Sequence, residues 1–116
     1  MRHQKKGKIL NRKKQPREAM LKNMAVSLII YEKIKTTEAK AKIVKPQVER
    51  LVTKGRTNDL ATRRYLMRHL PLNNAVKKVL EVLGPKYQDR RGGYLRIIKL
   101  NPRAGDGAKM AQIEFV

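Results

Sequence analysis

The chain is expected to fold as one α+β domain: about four helices packed on one face of a small three-stranded sheet, in the order α-β-α-α-α-β-β. A basic N-terminal arm precedes it. Three observations predict this. Helical spacing of apolar residues recurs from Met20 to Leu83, a two-residue period replaces it near the end, and the first seventeen residues hold eight Lys or Arg with no carboxylate. A length of 116 residues suits a single domain with a modest core, assigned to residues 16–116, with the arm at residues 1–15.

The arm offers only Ile9 and Leu10 as large aliphatic side chains apart from Met1. That is too little to offset a backbone ordering cost of about 1–2 kcal/mol per residue, so it is expected to order only on a partner. A first helix is expected to start at Pro16, where a fixed φ and a missing N–H are tolerated, with Glu18 in its first turn. Its buried stripe is read as Met20, Met24, Leu28 and Tyr31, flanked by Leu21 and Ala25. Lys33 to Thr37 alternates charged and β-favouring residues, as a short strand does.

Thr36 or Thr37 can cap a second helix that carries Val44, Val48, Leu51 and Val52 and stops near Gly55. Pro46 inside it predicts a kink or a late start. Asn58-Asp59 offers a cap for a third helix through Leu60, Ala61, Tyr65 and Leu66, ended by Pro71. Asn73 or Asn74 is expected to cap a fourth, whose set Val76, Val79, Leu80 and Leu83 is closed by Gly84-Pro85. Two strands follow, Tyr94 to Leu100 and Lys109 to Val116; in the second, Ala111, Ile113 and Phe115 alternate with Gln112 and Glu114. The turn residues Asn101-Pro102 and Gly105-Asp106-Gly107 lie between them, so they should pair as an antiparallel hairpin, with the strand near Ile34 joining at one edge.

Charge narrows the function. Residues 18–60 carry nine basic against five acidic side chains and residues 61–116 twelve against four, for a formal net charge of +20. Such an excess opposes compaction by self-repulsion and asks for a partner of high negative charge density. Nucleic acid leads, because neutralising phosphates releases condensed counterions. A membrane surface is disfavoured: there is no Trp, and no apolar run nears the roughly 20 residues that span a bilayer. The run Met24 to Tyr31 is too short for a signal segment and meets Glu32-Lys33.

No Cys is present, and His3 and His69 lie too far apart for a zinc site. No metal, cofactor or small-molecule substrate is therefore expected. General acid–base catalysis wants paired carboxylates or a carboxylate beside a histidine, whereas the nine acids here stand singly among basic residues. Gly105-Asp106-Gly107 precedes a strand and lacks a Gly-Lys-Ser/Thr ending, so it reads as a turn and not a phosphate loop. His69 reads as a helix-end residue at the negative pole of the dipole. Tyr31, Tyr65 and Tyr87 are assigned to packing in a chain with one Phe.

The candidate nucleic-acid contacts begin with the arm: Arg2, His3, Lys5, Lys6, Lys8, Asn11, Arg12, Lys13, Lys14 and Arg17. Arg63-Arg64, with Arg68 one turn on, puts cations on one side of a short helix. Arg90-Arg91-Gly92-Gly93-Tyr94 joins two guanidiniums, two permissive backbones and one aromatic ring, a combination that can stack on splayed bases; the alternative is a turn entering a strand with Tyr94 covering the core. Lys22, Lys35, Lys40 and Arg96 complete the set.

From end to end the residues resemble the bacterial large-subunit ribosomal protein seventeen family. The resemblance rests on Met1-Arg2-His3, Gly7-Lys8 and Leu10-Asn11-Arg12, then Thr36-Thr37 leading to Ala39-Lys40-Ala41-Lys42, and Pro46-Gln47-Val48-Glu49. It continues through Asp59-Leu60 with Arg63-Arg64, Pro85-Lys86-Tyr87, Arg90-Arg91-Gly92-Gly93-Tyr94 with Arg96-Ile97, and Gly105-Asp106-Gly107. The chain departs from that pattern at Lys13-Lys14-Gln15-Pro16, so the family's helix cap and His there do not transfer, and at Lys54-Gly55-Arg56-Thr57-Asn58. The resemblance implies a non-catalytic structural protein of the cytoplasmic ribosome. It would bind large-subunit ribosomal RNA and support its assembly near the polypeptide tunnel exit, beside neighbouring large-subunit proteins. A nucleoid-type DNA-binding protein is the alternative, though no helix-turn-helix spacing is evident.

Overall fold

A computed structural model describes residues 14–116. Its elements run α1 (Lys14–Tyr31), β1 (Lys33–Thr37), α2 (Glu38–Lys54), α3 (Leu60–His69), α4 (Asn73–Lys78), β2 (Leu95–Lys99) and β3 (Met110–Phe115). A π-helical turn (Val79–Leu83) and a last helical turn (Gly84–Lys86) continue α4 without a break. This is the expected α+β order. The predicted arm lies, up to residue 13, outside the described residues.

Helix α1 is already helical at Lys14, two residues before the expected start at Pro16. Proline is tolerated anywhere in a first turn, because the first four N–H groups of a helix have no intrahelical acceptor. Glu18 consequently falls in the second turn. Lys14 to Met20 includes no fully buried residue, with Arg17 and Met20 half-buried, and among the described residues full burial begins at Leu21. The buried face is Leu21, Ala25, Leu28 and Ile29, not the expected Met20-Met24-Leu28-Tyr31 stripe, and Tyr31 is 73% exposed. The stretch Val26 to Tyr31 is apolar nearly all round, so its sequence does not choose the face that packs.

Glu32 ends α1 in the left-handed region at φ 66°, which costs a non-glycine residue about 1–2 kcal/mol. Its surroundings hold it there. Its N–H donates to the Leu28 carbonyl (2.8 Å), and its carbonyl accepts from the Phe115 N–H (3.0 Å). Lys78 Nζ donates to the Ile30 carbonyl at 2.9 Å and Glu32 Oε2 at 3.1 Å, placing a cation at the negative end of the helix dipole.

Strand β1 has the predicted limits and the predicted edge position: the sheet order is β1-β3-β2, antiparallel throughout. Its inner rows follow from the two-residue period, with Ile34 and Ile97 flanking Ile113, and Leu95 opposite Phe115. Bonds from the Val116 N–H to the Tyr94 carbonyl and from the Leu100 N–H to the Met110 carbonyl, both 2.9 Å, extend the hairpin ladder past the ends of β2 and β3. In its loop, Gly107 takes φ 69° and the Ala108 N–H donates to Asp106 Oδ1 at 3.1 Å, the turn expected of those residues.

The caps of α2 and α3 are Thr37 and Asp59, as their chemistry predicts: Thr37 Oγ1 accepts from the Lys40 N–H at 3.4 Å and Asp59 Oδ1 from the Thr62 N–H at 2.7 Å. Helix α2 starts on time and runs through Pro46, burying Ala41, Val44, Val48, Leu51 and Val52 against the sheet and α1. Helix α3 buries Thr62 and Leu66, whereas Leu60, expected in its apolar set, is 61% exposed and Ala61 also faces outward. Neither asparagine caps α4: Leu72 occupies that position without a side-chain bond, and Asn73 and Asn74 are already helical.

Val76, Val79, Leu80 and Leu83 are all buried, as their spacing predicts. Gly84-Pro85 does not close the helix. Pro85 has no N–H for the Glu81 carbonyl, and the turn widens so that the Gly84 N–H reaches back five residues to the Val79 carbonyl. Gly84 is tolerated there because it faces the Gly55 backbone, where a Cβ would lie 2.8 Å from the Gly55 carbonyl carbon. Gly55, the C-cap of α2, is itself right-handed at φ −68°; it is needed for close approach, not for a left-handed turn.

Candidate nucleic-acid interface

The described cations are distributed over the body. Lys14 and Lys22 are exposed on α1, with Arg17 half-buried; Lys40, also half-buried, lies in the first turn of α2. Arg64 is exposed on α3 and Arg63 half-buried beside it. Lys35 and Arg96 project from the outer face of the sheet, since Lys35 is opposite Gln112, Arg96 opposite Glu114, and the inner face belongs to Ile34, Ile97 and Ile113. Arg2, His3, Lys5, Lys6, Lys8, Asn11, Arg12 and Lys13 lie outside the described residues.

Arg90 and Arg91 are exposed at the start of the connection to β2. Gly92 and Gly93 follow at φ 148° and 63°, with open space where each Cβ would stand. Backbone conformation, not packing, accounts for both glycines. Tyr94 corrects the sequence reading. It is 0% exposed, its ring lies 5.1 Å from that of Tyr87, and its hydroxyl donates to the Arg90 carbonyl at 3.2 Å and sits 3.0 Å from Thr53 Oγ1. The ring therefore offers no face to a base; it anchors the arginine segment to the core. Tyr87 is buried as expected, and its hydroxyl donates to the Val116 carbonyl at 2.7 Å.

Arg96 is committed to Glu114, with NH2 2.7 Å and Nε 3.1 Å from Oε2. The hydrogen bond from Arg96, followed by that from Gln112, holds the Glu114 carboxyl below the usual range. Lys42 acts similarly on Glu38, and the Thr62 N–H on Asp59. A carboxyl lowered in the fold adds stability that is complete above its unfolded value and lost as pH falls through the folded one. The melting temperature should therefore hold down to about pH 5 and drop below about pH 4. Thermal melts across pH check this, and Asp59→Asn should shrink the acid-side drop; a melting temperature unchanged to pH 2 would contradict it.

Further cations meet in a groove between α1, α2 and α3 that the sequence did not single out. It has a volume of about 420 Å³; Lys22, Arg50, Tyr65, Arg68 and His69 are among the residues that line it. Arg50 with Lys54, and Tyr65 with His69, are i, i+4 pairs legible in the sequence, but their convergence across two helices is not. His69 Nδ1 lies 2.9 Å from the Tyr65 carbonyl at the end of α3, the helix-end position expected of it.

Among the described residues no group of three His, Cys, Asp or Glu could hold a metal, and no helix is long and apolar enough to cross a membrane. The acids that the structure engages serve as caps and ion partners, for example Asp59 and Glu114. The fold and surface define a small, strongly basic α+β protein whose described cations are displayed on several faces. Residues 20–116 match the family described as Ribosomal protein L17, and the chain belongs to that family: it is a ribosomal protein. Similar chains include the large ribosomal subunit protein bL17 of Rickettsia bellii strain OSU 85-389, 51% identical across all of this chain and 82% of its own length. The proteins of that name from Allorhizobium ampelinum and Rickettsia typhi are 50% and 47% identical, again over the whole chain, which spans 82% and 85% of them.

Proposed function

We propose that the protein is a non-catalytic structural constituent of the large ribosomal subunit, in the cytoplasm, that binds large-subunit ribosomal RNA and supports its assembly near the polypeptide tunnel exit. The observation that carries this reading is the spread of exposed cations over helices, sheet and loop in a chain whose relatives are large-subunit proteins. A reader of one DNA groove concentrates its basic side chains on one element, whereas a protein that joins several RNA segments needs them on several faces. The tunnel-exit position and the protein neighbours rest on the family resemblance.

On this reading the N-terminal residues, Lys14, Arg17, Lys22, Lys35, Lys40, Arg63, Arg64, Arg90 and Arg91 meet phosphate. Arg96 contributes through the face it shares with Glu114. Tyr94 acts only by holding Arg90. Phosphate contacts fix position, and the folded shape of the RNA selects the site. Sedimentation of a cell lysate tests the proposal: the protein should co-migrate with large subunits and protect their RNA in a footprint. Migration with chromosomal DNA instead would identify a nucleoid protein.

A further inference from the structure

Tyr65 is the residue common to three adjoining depressions. One is the groove between α1, α2 and α3; the second lies beside Arg50 and Lys54, and the third beside Thr57 and Thr62. The ring is half-buried and packs on the core with one side. Its other surroundings are cationic and aromatic. Lys54 Nζ stands 5.1 Å from the ring centroid, the Arg68 guanidinium carbon 5.9 Å, and the His69 ring 4.5 Å at a 35° tilt.

The acids nearby are largely engaged. Glu49 Oε2 accepts from the Leu95 N–H at 3.3 Å and Asp59 Oδ1 from Thr62, leaving Glu18 as the carboxylate facing Lys22, Arg50 and Arg68 in the groove. An exposed His69 ring backed by the Tyr65 ring and surrounded by cations, in a groove of about 420 Å³, has the composition of a stacking site on single-stranded RNA. A double helix keeps its base faces stacked and presents none to such a ring. An acidic peptide would satisfy the cations but has no flat π face for Tyr65 and His69.

We propose that the Tyr65–His69 pair receives one unstacked base from a single-stranded segment of ribosomal RNA, with Lys22, Arg50, Lys54 and Arg68 holding the flanking phosphates. This rests on the ribosomal RNA reading above and adds to it a place where a base, and not only backbone, is met. The phosphate contacts of Lys14, Arg17, Arg63, Arg64, Arg90 and Arg91 do not depend on it.

The test compares the full chain's affinity for an octauridylate with its affinity for an abasic ribose-phosphate oligomer of equal length and charge. Electrostatic contacts, including those of the N-terminal residues, affect both probes alike, so their ratio isolates the base. The protein should favour the octauridylate by about tenfold. Tyr65→Ala should abolish the preference and Tyr65→Phe keep it, while Arg68→Gln should weaken both probes and flatten the salt dependence. His69→Ala, at an exposed position, should reduce the preference and serves as the deciding variant if circular dichroism shows that Tyr65→Ala does not fold. Equal binding of both probes by the unaltered protein, or a preference that survives the aromatic substitutions, would overturn the proposal. If co-migration with large subunits persists in that case, only the stacking site is lost; if it too fails, the ribosomal RNA reading goes with it.

Discussion

Replacing Gly84 by alanine is expected to destabilise the domain by about 3 kcal/mol, even though alanine is the better helix former by about 1 kcal/mol. The added Cβ would stand 2.8 Å from the Gly55 carbonyl carbon, closer still to its oxygen, and 3.0 Å from the Val79 carbonyl oxygen. All three are backbone atoms, which no change of rotamer can move away. Relief requires α2 and the π turn to separate, which would loosen Leu51, Val79 and Leu83, all buried near this crossing. Guanidinium unfolding measures the effect. An alanine at position 84 that left the midpoint unchanged would mean that the two backbones do not meet this closely.

The second large effect is on binding. Removing residues 1–13 takes away Arg2, Lys5, Lys6, Lys8, Arg12 and Lys13. If all six reach phosphate, the slope of log K against log salt should fall by up to about 5 for duplex contacts and somewhat less for single strands. Affinity at moderate salt should fall by more than about a hundredfold. The truncated protein should still fold, because among the described residues the core cluster is assembled from Ala25 to Phe115. Titration of large-subunit RNA at several salt concentrations, with a thermal melt of the truncated chain, separates the two. Equal affinity and slope with and without these residues would remove the N-terminal segment from the interface.

Local chemistry was the most legible part of the fold. Alternation at Lys33 to Thr37 marked β1, and Thr37 and Asp59 were readable as caps because few side chains can accept from the first free N–H groups of a helix. The phase of α1 was not readable: where Leu28, Ile29, Ile30 and Tyr31 are all apolar or aromatic, the packing of the helix against α2, α4 and β1 settles which side turns inward. The π turn was hidden for a related reason. Gly84-Pro85 is a stop signal by itself, and it becomes a continuation only because Gly55 leaves room beside it.

The interface was legible as residue types more than as places. Arg64, Arg90 and Arg91 are exposed as their charge requires, but Tyr94 in the same motif is buried, since its hydroxyl finds Thr53 on α2, a partner 41 positions away. The Tyr65 groove went unseen for the converse reason: Lys22, Arg50 and Arg68 stand on three helices, and topology alone unites them.

The start of α1 sets an electrical distance. Seven residues from Lys14 to Met20, rising about 1.5 Å each, place Lys14 about 10 Å along the helix axis from Leu21, comparable to the Debye length of about 8 Å at physiological ionic strength. In the cell the Lys14 charge is largely screened from those of the body, so the two can be neutralised independently. In dilute buffer, where the Debye length grows to about 30 Å, the two groups repel, and association should begin to depend on how far the first has already been quenched.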